Sequence, residues 1–389
     1  MDELKKTLKI QAKKILTKFD APFTLAVNFN GNVTALSVAT IEDTQYFLTQ
    51  KNDVPSVNFA FDFLKDKNNR AVIVLETGDD YKATVAACTD QFAEFFGGSV
   101  KAFLPADVNA KTELFKRGAI RLDGVGIATF GRSIEEAICA LEILLKARLA
   151  LRFGSPTSLN GGEIKTLHSG YRLRSAKNQK ETFDLETIGK HLNVSQQVGL
   201  ESIAEIIVYA KKAEIEELSQ GTWRSVSIRH GDNFFITPEN KSNAFLTESD
   251  IVKINLKNGF YKPFSKPSSD KNLHRAIYNA RGDIGAIIHC HPIYSSVNAE
   301  LGEKLIVSEK MRRILGEEIS VTEYKKQRSK QQGEAAVCAL KGRVAAFLSR
   351  QGLVVVGKTV QDAYWTLNAI EDECQKFYRN KEDLWQHRT

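Results

Sequence analysis

A run of twelve residues recurs in both halves of this 389-residue chain, and it limits the folds available more than any other feature. Near the C-terminus stands Gly352-Leu-Val-Val-Val-Gly357-Lys-Thr-Val-Gln-Asp-Ala363; the first half carries Gly126-Ile-Ala-Thr-Phe-Gly131-Arg-Ser-Ile-Glu-Glu-Ala137. Both glycines and the alanine coincide, with Lys/Arg, Thr/Ser, Val/Ile and Asp/Glu between them. Each copy reads as a short strand that ends at a glycine turn and opens a helix, with Thr359 or Ser133 as N-cap. Asp362, or Glu135 and Glu136, then lies in the first turn, where the helix dipole favours a carboxylate. A second echo lies upstream in each half: Ala286-Ile-Ile, running towards Tyr294, matches Ala71-Val-Ile-Val, running towards Tyr81. Two matches in the same order, 215 and 226 residues apart, predict tandem domains of related fold.

The boundary expected between them is Arg152-Phe-Gly-Ser-Pro-Thr-Ser-Leu-Asn-Gly-Gly162 and the weakly periodic sequence after it. This divides the chain into a first domain at 1–151, a connector at 152–184 and a second domain at 185–389. Within the second, Gln197–Leu218 reads as a long helix and Arg224–Arg229 with Asn233–Ile236 as a hairpin. Ile251–Leu256 and Gly285–His291 read as strands, Leu273–Ala280 as a helix, and Val344–Val356 as one or two further strands. Hairpins beside helices imply an α/β fold, a mostly antiparallel sheet covered by helices in each domain.

Composition removes several classes of function. A 42% hydrophobic and 26% charged chain is globular, and no run approaches the roughly 20 apolar residues of a membrane span. The N-terminal MDELKKTLKIQAKKIL lacks the apolar block of a signal peptide, so a cytoplasmic protein without membrane attachment is expected. Cys88, Cys139, Cys290, Cys338 and Cys374 are scattered and form no CxxC pair, against both a disulfide framework and a cysteine-rich zinc site. The net charge of +7 is spread along the chain. Only Lys325, Lys326, Arg328 and Lys330 cluster, without an RNA or DNA motif around them, so nucleic acid is not expected as a partner.

The sharpest chemical signal is Ala286-Ile-Ile-His289-Cys-His291-Pro. On a strand, residues two apart share a face, so both imidazoles point to one place, where they can hold a divalent metal. Two unrelated histidines near a strand end would look the same in sequence.

Around this strand, Pro267-Ser-Ser-Asp270-Lys-Asn-Leu-His274-Arg-Ala-Ile-Tyr278 and Arg281-Gly-Asp-Ile-Gly-Ala-Ile-Ile-His-Cys-His-Pro-Ile-Tyr294 resemble the class II aldolase/adducin family. So do Gly221-Thr with Val226-Ser-Ile-Arg229, Phe235-Ile-Thr-Pro238, and Gln351-Gly352 with Gly357, all in family order over about two hundred residues. The first half matches only through the repeat.

The resemblance implies an enzyme of the metal-dependent lyase type, acting on a small hydroxy-carbonyl compound such as a sugar or sugar phosphate through an enediolate. Zn2+ or another divalent ion would be held by His289, His291 and the residue at the third-ligand position, here Gln351 in place of histidine. Asp270, at the family's acidic position, would transfer the proton, although a carboxylate in a first helical turn is also what any helix prefers. Phosphate contacts fall at Arg224 and Ser225, where the family has a GN pair, and at Ser268 and Ser269. At Glu239-Asn240 the family's Ser/Thr-Gly pair is replaced. His274 reads as supporting structure, Tyr294 as pocket lining or simple packing, and His168 and His230 as surface residues. The family's tetramers imply a homo-oligomer. The alternative is a non-catalytic, adducin-like association module with a degenerate metal site. In the first half Leu75-Glu-Thr-Gly78 stands where the two histidines would fall, and Val125 matches Gln351, so that domain is expected to lack metal ligands.

Overall fold

The computed structural model describes residues 2–19, 21–38, 45–65, 70–77, 86–181, 199–216, 218, 224–239, 241, 243, 246–262 and 266–386. Gly221, Thr222, Asn240, Tyr81 and the stretch around Leu185 lie outside these residues. The described residues form two compact units, one of residues 1–87, 91–145 and 158–173, the other of 88–90, 146–157 and 174–389. None of their helices is long and apolar enough to cross a membrane.

The first unit carries a mixed α/β arrangement on seven strands: β1 (Phe23–Phe29), β2 (Asn32–Val38), β3 (Gln45–Leu48), β4 (Arg70–Glu76), β5 (Ala102–Phe103), β6 (Ala119–Leu122) and β7 (Gly126–Gly131). Their order across the sheet is β3-β2-β1-β4-β7-β6-β5. Every pair is antiparallel except β5 with β6. One face is covered by α2 (Pro55–Leu64) and α4 (Val108–Arg117), whose Phe63 and Leu114 pack with Val72, Val74, Ile120 and Ala128.

The second sheet has the strands β8 (Ser225–His230), β9 (Asn233–Ile236), β10 (Val252–Asn255), β11 (Ala286–Cys290), β12 (Leu305–Ile306), β13 (Glu318–Val321), β14 (Ala345–Phe347) and β15 (Leu353–Gly357). Its order is β10-β9-β8-β11-β15-β14-β13-β12. Leaving out the edge strand β12, this is the order of the first sheet, with its one parallel pair, β13 with β14, at the equivalent place. The registers agree as well: Ala71 faces Gly131 as Ala286 faces Gly357. Strand alternation gives this sheet two apolar faces. Val226, Ile228, Ile288 and Val355 pack under α7 (Leu200–Ile215) and α12 (Val360–Gln386). Ile287, Val354 and Val356 pack under α8 (Lys271–Ala280) and α11 (Lys330–Ala339).

Both glycine turns open helices as the repeat predicts. The Glu136 N–H donates to Ser133 Oγ at the start of α5 (Ile134–Phe153). Thr359 and Asp362 cap α12 reciprocally, each backbone N–H donating to the other's side chain.

Part of the stretch expected as a connector is helical. Residues 161–181 form a helix, α6 (Gly161–Glu181), and 158–173 pack with the first unit, whereas 88–90 and 146–157 pack with the second. The turn formers that read as a linker are the cap of this helix: Asn160 Oδ1 accepts from the N–H groups of Gly162 and Glu163. His168 is half-buried in the first unit, with Nδ1 3.0 Å from the Glu94 carbonyl oxygen, and burial lowers its pKa.

Candidate active site

The site grows from the face of β11 that looks at α8. His289 shares that face with Ser225 and Ser227 of β8, because all three point opposite to Val226, Ile228 and Ile288. Asp270, His274 and Tyr278 recur every four residues and make one stripe down α8. Helix and strands meet along a buried polar seam. The Ser225 hydroxyl donates to Asp270 Oδ2 at 2.9 Å and lies 2.8 Å from His274 Nε2. The Ser227 hydroxyl lies 2.7 Å from His274 Nδ1 and 2.8 Å from Tyr278 Oη.

Proton bookkeeping fixes the direction of this seam. The one Ser225 proton goes to the carboxylate, so Ser225 accepts from His274 Nε2–H, and His274 Nδ1 accepts from Ser227. His274 is therefore a neutral ring. Burial drives its pKa down to about 3 despite the nearby Asp270.

Asp270 stands at the N-cap of α8, but its side chain does not cap the helix. It turns to Ser225 and to His289, whose Nδ1 lies 2.9 Å from Oδ2. Its own backbone N–H donates to Ser268 Oγ. Burial alone would raise the Asp270 pKa; the His289 ring beside it outweighs burial and keeps the carboxyl ionised. Burial in turn would depress His289, and Asp270 holds it above the ordinary histidine value.

Strand alternation brings His291 to the same side as His289, with ring centroids 5.2 Å apart. Two imidazoles bound to one tetrahedral ion would stand roughly 5 Å apart between centroids, given metal–nitrogen distances of about 2.0–2.1 Å. His291 is buried, and among the described residues its ring has no hydrogen-bond partner. Burial, with His289 and Lys146 next to it, keeps it neutral. His291 offers a neutral nitrogen; His289, oriented by a carboxylate and donating to the Gln351 carbonyl, becomes a donor to a divalent ion when its Nε2 gives up its proton.

Gln351 does not complete the set with its side chain. Its Oε1 accepts from Gln332 Nε2, and its Nε2 donates to Asp90 Oδ2 and to the Lys325 carbonyl, all within 2.7–2.9 Å. What it offers the site is its main-chain carbonyl oxygen, 2.7 Å from His289 Nε2. Among the described residues no group of three or more His, Cys, Asp or Glu surrounds a common point. The donor set thus suits a metal on its two imidazoles, and the third position is the weak one.

The other expected contacts are dispersed. Arg224 is buried and paired with Glu214 of α7. Ser268 is buried beside Asp270 and Ser269 half-buried; Tyr294 packs against the core, and Glu239 pairs with Lys266 at 3.7 Å. Two residues with no local signal in the sequence also belong here. Asp90 holds the Gln351 amide, and Lys146 Nζ donates to the His291 carbonyl at 3.4 Å, both from far away in the chain.

In the first sheet the corresponding register positions are Val74 for His289, Glu76 for His291 and Thr24 for Ser225. Thr24 and Ser56 share a hydrogen bond of 2.9 Å, and Ser56 donates to Glu76. The contact there is polar and contains no imidazole.

Residues 204–378 match the profile of the Class II Aldolase and Adducin N-terminal domain. An L-fuculose phosphate aldolase of Methanocaldococcus jannaschii is 30% identical over 155 residues, covering 40% of this chain and 83% of that protein. A 5-methylthioribulose-1-phosphate/5-deoxyribulose-1-phosphate aldolase of Rhodospirillum rubrum is 30% identical over 175 residues, 45% of this chain and 79% of that protein. A solved L-fuculose 1-phosphate aldolase covers 47% of this chain and 87% of its own length, at 30% identity and a TM-score of 0.45. With the matched span running from α7 into α12 and enclosing Asp270, His289 and His291, the chain belongs to the class II aldolase/adducin family.

Proposed function

We propose that this protein is an aldolase of the metal-dependent type that cleaves a phosphorylated ketose. The carrying observation is the pairing of an ionised Asp270 with His289 beside an imidazole, His291, that has no hydrogen-bond partner among the described residues. His289 and His291 would hold a divalent ion such as Zn2+, which when bound supplies the Lewis acid that favours an enediolate.

The protein's own residues do the rest. The His289 ring is fixed on both sides, by Asp270 at Nδ1 and by the Gln351 carbonyl at Nε2. The second contact must yield when a metal takes Nε2. Asp270 Oδ2 is the proton carrier; the Ser225 hydroxyl steadies its charge, and the neutral His274 behind Ser225 keeps that hydroxyl pointed at it. A group in this role contributes about 100- to 10,000-fold in rate. Ser268 and Ser269 are the phosphate donors we favour, with Tyr294 at the pocket wall. Arg224 joins them only by leaving Glu214. The shared strand order and register support reading the first unit as a tandem copy that has lost these ligands, in a protein that works in the cytoplasm as a homo-oligomer.

The test is cleavage of L-fuculose 1-phosphate and 5-deoxyribulose 1-phosphate, followed by release of dihydroxyacetone phosphate, with zinc content measured in parallel. The expected outcome is product release by the native enzyme, at least a hundredfold loss in Asp270→Asn, and no zinc uptake in His289→Ala/His291→Ala. A native protein that neither takes up zinc nor cleaves either sugar phosphate would refute the enzyme and favour an adducin-like association module.

A further inference from the structure

The turn that presents the Gln351 carbonyl to His289 is built under backbone strain. Arg350 has φ 63° and Gly352 φ 81°, so two of three consecutive residues are left-handed, one of them not a glycine. A non-glycine residue there is strained and persists only where its surroundings impose it. Within the segment, Gln351 N–H donates to the Leu348 carbonyl and Leu348 N–H to that of Gly352. From outside, Arg350 N–H donates to the Ala299 carbonyl at 2.9 Å.

Asp90 adds contacts of both kinds. Its N–H donates to the Arg350 carbonyl at 3.3 Å, and its Oδ2 accepts from Gln351 Nε2 at 2.7 Å. The carboxylate is 3% exposed, and its Oδ1 accepts from the Tyr324 hydroxyl at 3.0 Å. Charge-assisted bonds away from water are roughly twice as strong as neutral ones, so this is the firmest hold on the amide. Gln332 takes the other end of it. We infer that Asp90 is a positioning residue of the active site: it clamps the Gln351 amide so that the 350–352 turn aims the Gln351 carbonyl at His289 Nε2. The inference rests on reading His289 as a site residue. It also explains why glutamine can stand at this position, since the side chain serves as the handle by which the turn is held and the main chain faces the site.

The test uses the full-length, metal-free protein with 15N-labelled histidine, in which only seven rings contribute signals. Long-range 1H–15N correlations report the hydrogen bonding of each ring nitrogen, and zinc titration by calorimetry reports affinity. In Asp90→Leu the His289 Nε2 resonance is expected to move towards that of a nitrogen without an acceptor, with His274 unchanged. Zinc affinity should rise, because a loosened Gln351 carbonyl competes less with the metal for Nε2. Asp90→Asn should keep the native pattern, because its amide oxygen still accepts from Gln351 and Tyr324 can turn to accept from its NH2. Should Asp90→Leu not fold, Tyr324→Phe loosens the same clamp by one bond and should move the His289 signal in the same direction by less. Unmoved His289 signals in a folded Asp90→Leu or in Tyr324→Phe, or equal damage from Asp90→Asn, would overturn the inference. The ring signals are read without metal or substrate. A protein that cleaves no sugar phosphate can therefore still show the Asp90 effect, and an active aldolase with unmoved signals would lose only the role of Asp90.

Discussion

Replacing Lys146 by methionine is the most direct probe of what supports the histidine strand from below. The ammonium is 1% exposed and donates to the His291 carbonyl, while Glu300 and Glu371 lie close enough to feel its charge. Burial pushes Glu300 up to about 8 and also raises Glu371; Lys146 works against both shifts. Methionine keeps the length of the side chain and removes the charge, leaving two buried carboxyls without their cation. Removing one partner from a buried charge set costs about 3–5 kcal/mol. The size should depend on pH. A carboxyl whose folded pKa lies above its unfolded value binds its proton more tightly in the folded state, so stability declines as pH rises from about 4.5 through about 8. Without Lys146 that decline should steepen, and adding Glu300→Gln to Lys146→Met should flatten it and restore part of the loss. Urea unfolding at pH 6 and pH 8, with slopes compared to exclude a change in the unfolded state, measures this. A loss below about 1 kcal/mol at pH 8, or a double variant no more stable than Lys146→Met, would show that the ammonium does not compensate these carboxyls.

Two further substitutions test the geometry. A Cβ on Gly352 would lie 2.4 Å from the Cys290 carbonyl oxygen and 2.8 Å from His291 Nδ1, at φ 81°; Gly352→Ala should therefore lose about 2 kcal/mol or more in urea unfolding and weaken zinc uptake. His274→Phe keeps the volume but strips two serine hydroxyls of a partner, so a loss of about 1–3 kcal/mol is expected from the same titration, with Asp270 left less well oriented and activity reduced.

The repeat was legible because it consists of local rules, a glycine turn, a cap and an acidic first turn, and the structure reproduces each at Ser133 and Thr359. The hairpin of β8 and β9 and the strand β11 were readable as short runs of β-branched and aromatic residues bounded by turn formers, and the common face of His289 and His291 follows from the two-residue period of a strand. Helix α6 escaped because its first residues are turn formers and, among its residues whose burial is described, Leu167 is the buried apolar one, so no stripe rises above the polar background. Asp90 and Lys146 had no local signature, since a buried charge is explained by its partner and the partners lie 261 and 145 residues away. The Gln351 amide shows the same limit: the sequence assigns it a position, and only long-range packing with Gln332 and Asp90 decides which way it faces.

The glycines that close β7 and β15 set how tightly each sheet carries its following helix. A methyl on Gly131 would strike the Ala137 nitrogen at 2.4 Å, and one on Gly357 the Ala363 nitrogen at 2.6 Å. At both places strand and helix touch through main-chain atoms, so the spacing between them is indifferent to what the neighbouring side chains become. An architecture anchored in this way leaves the side chains of its central strand, His289 in one sheet and Val74 in the other, free to differ without shifting the frame.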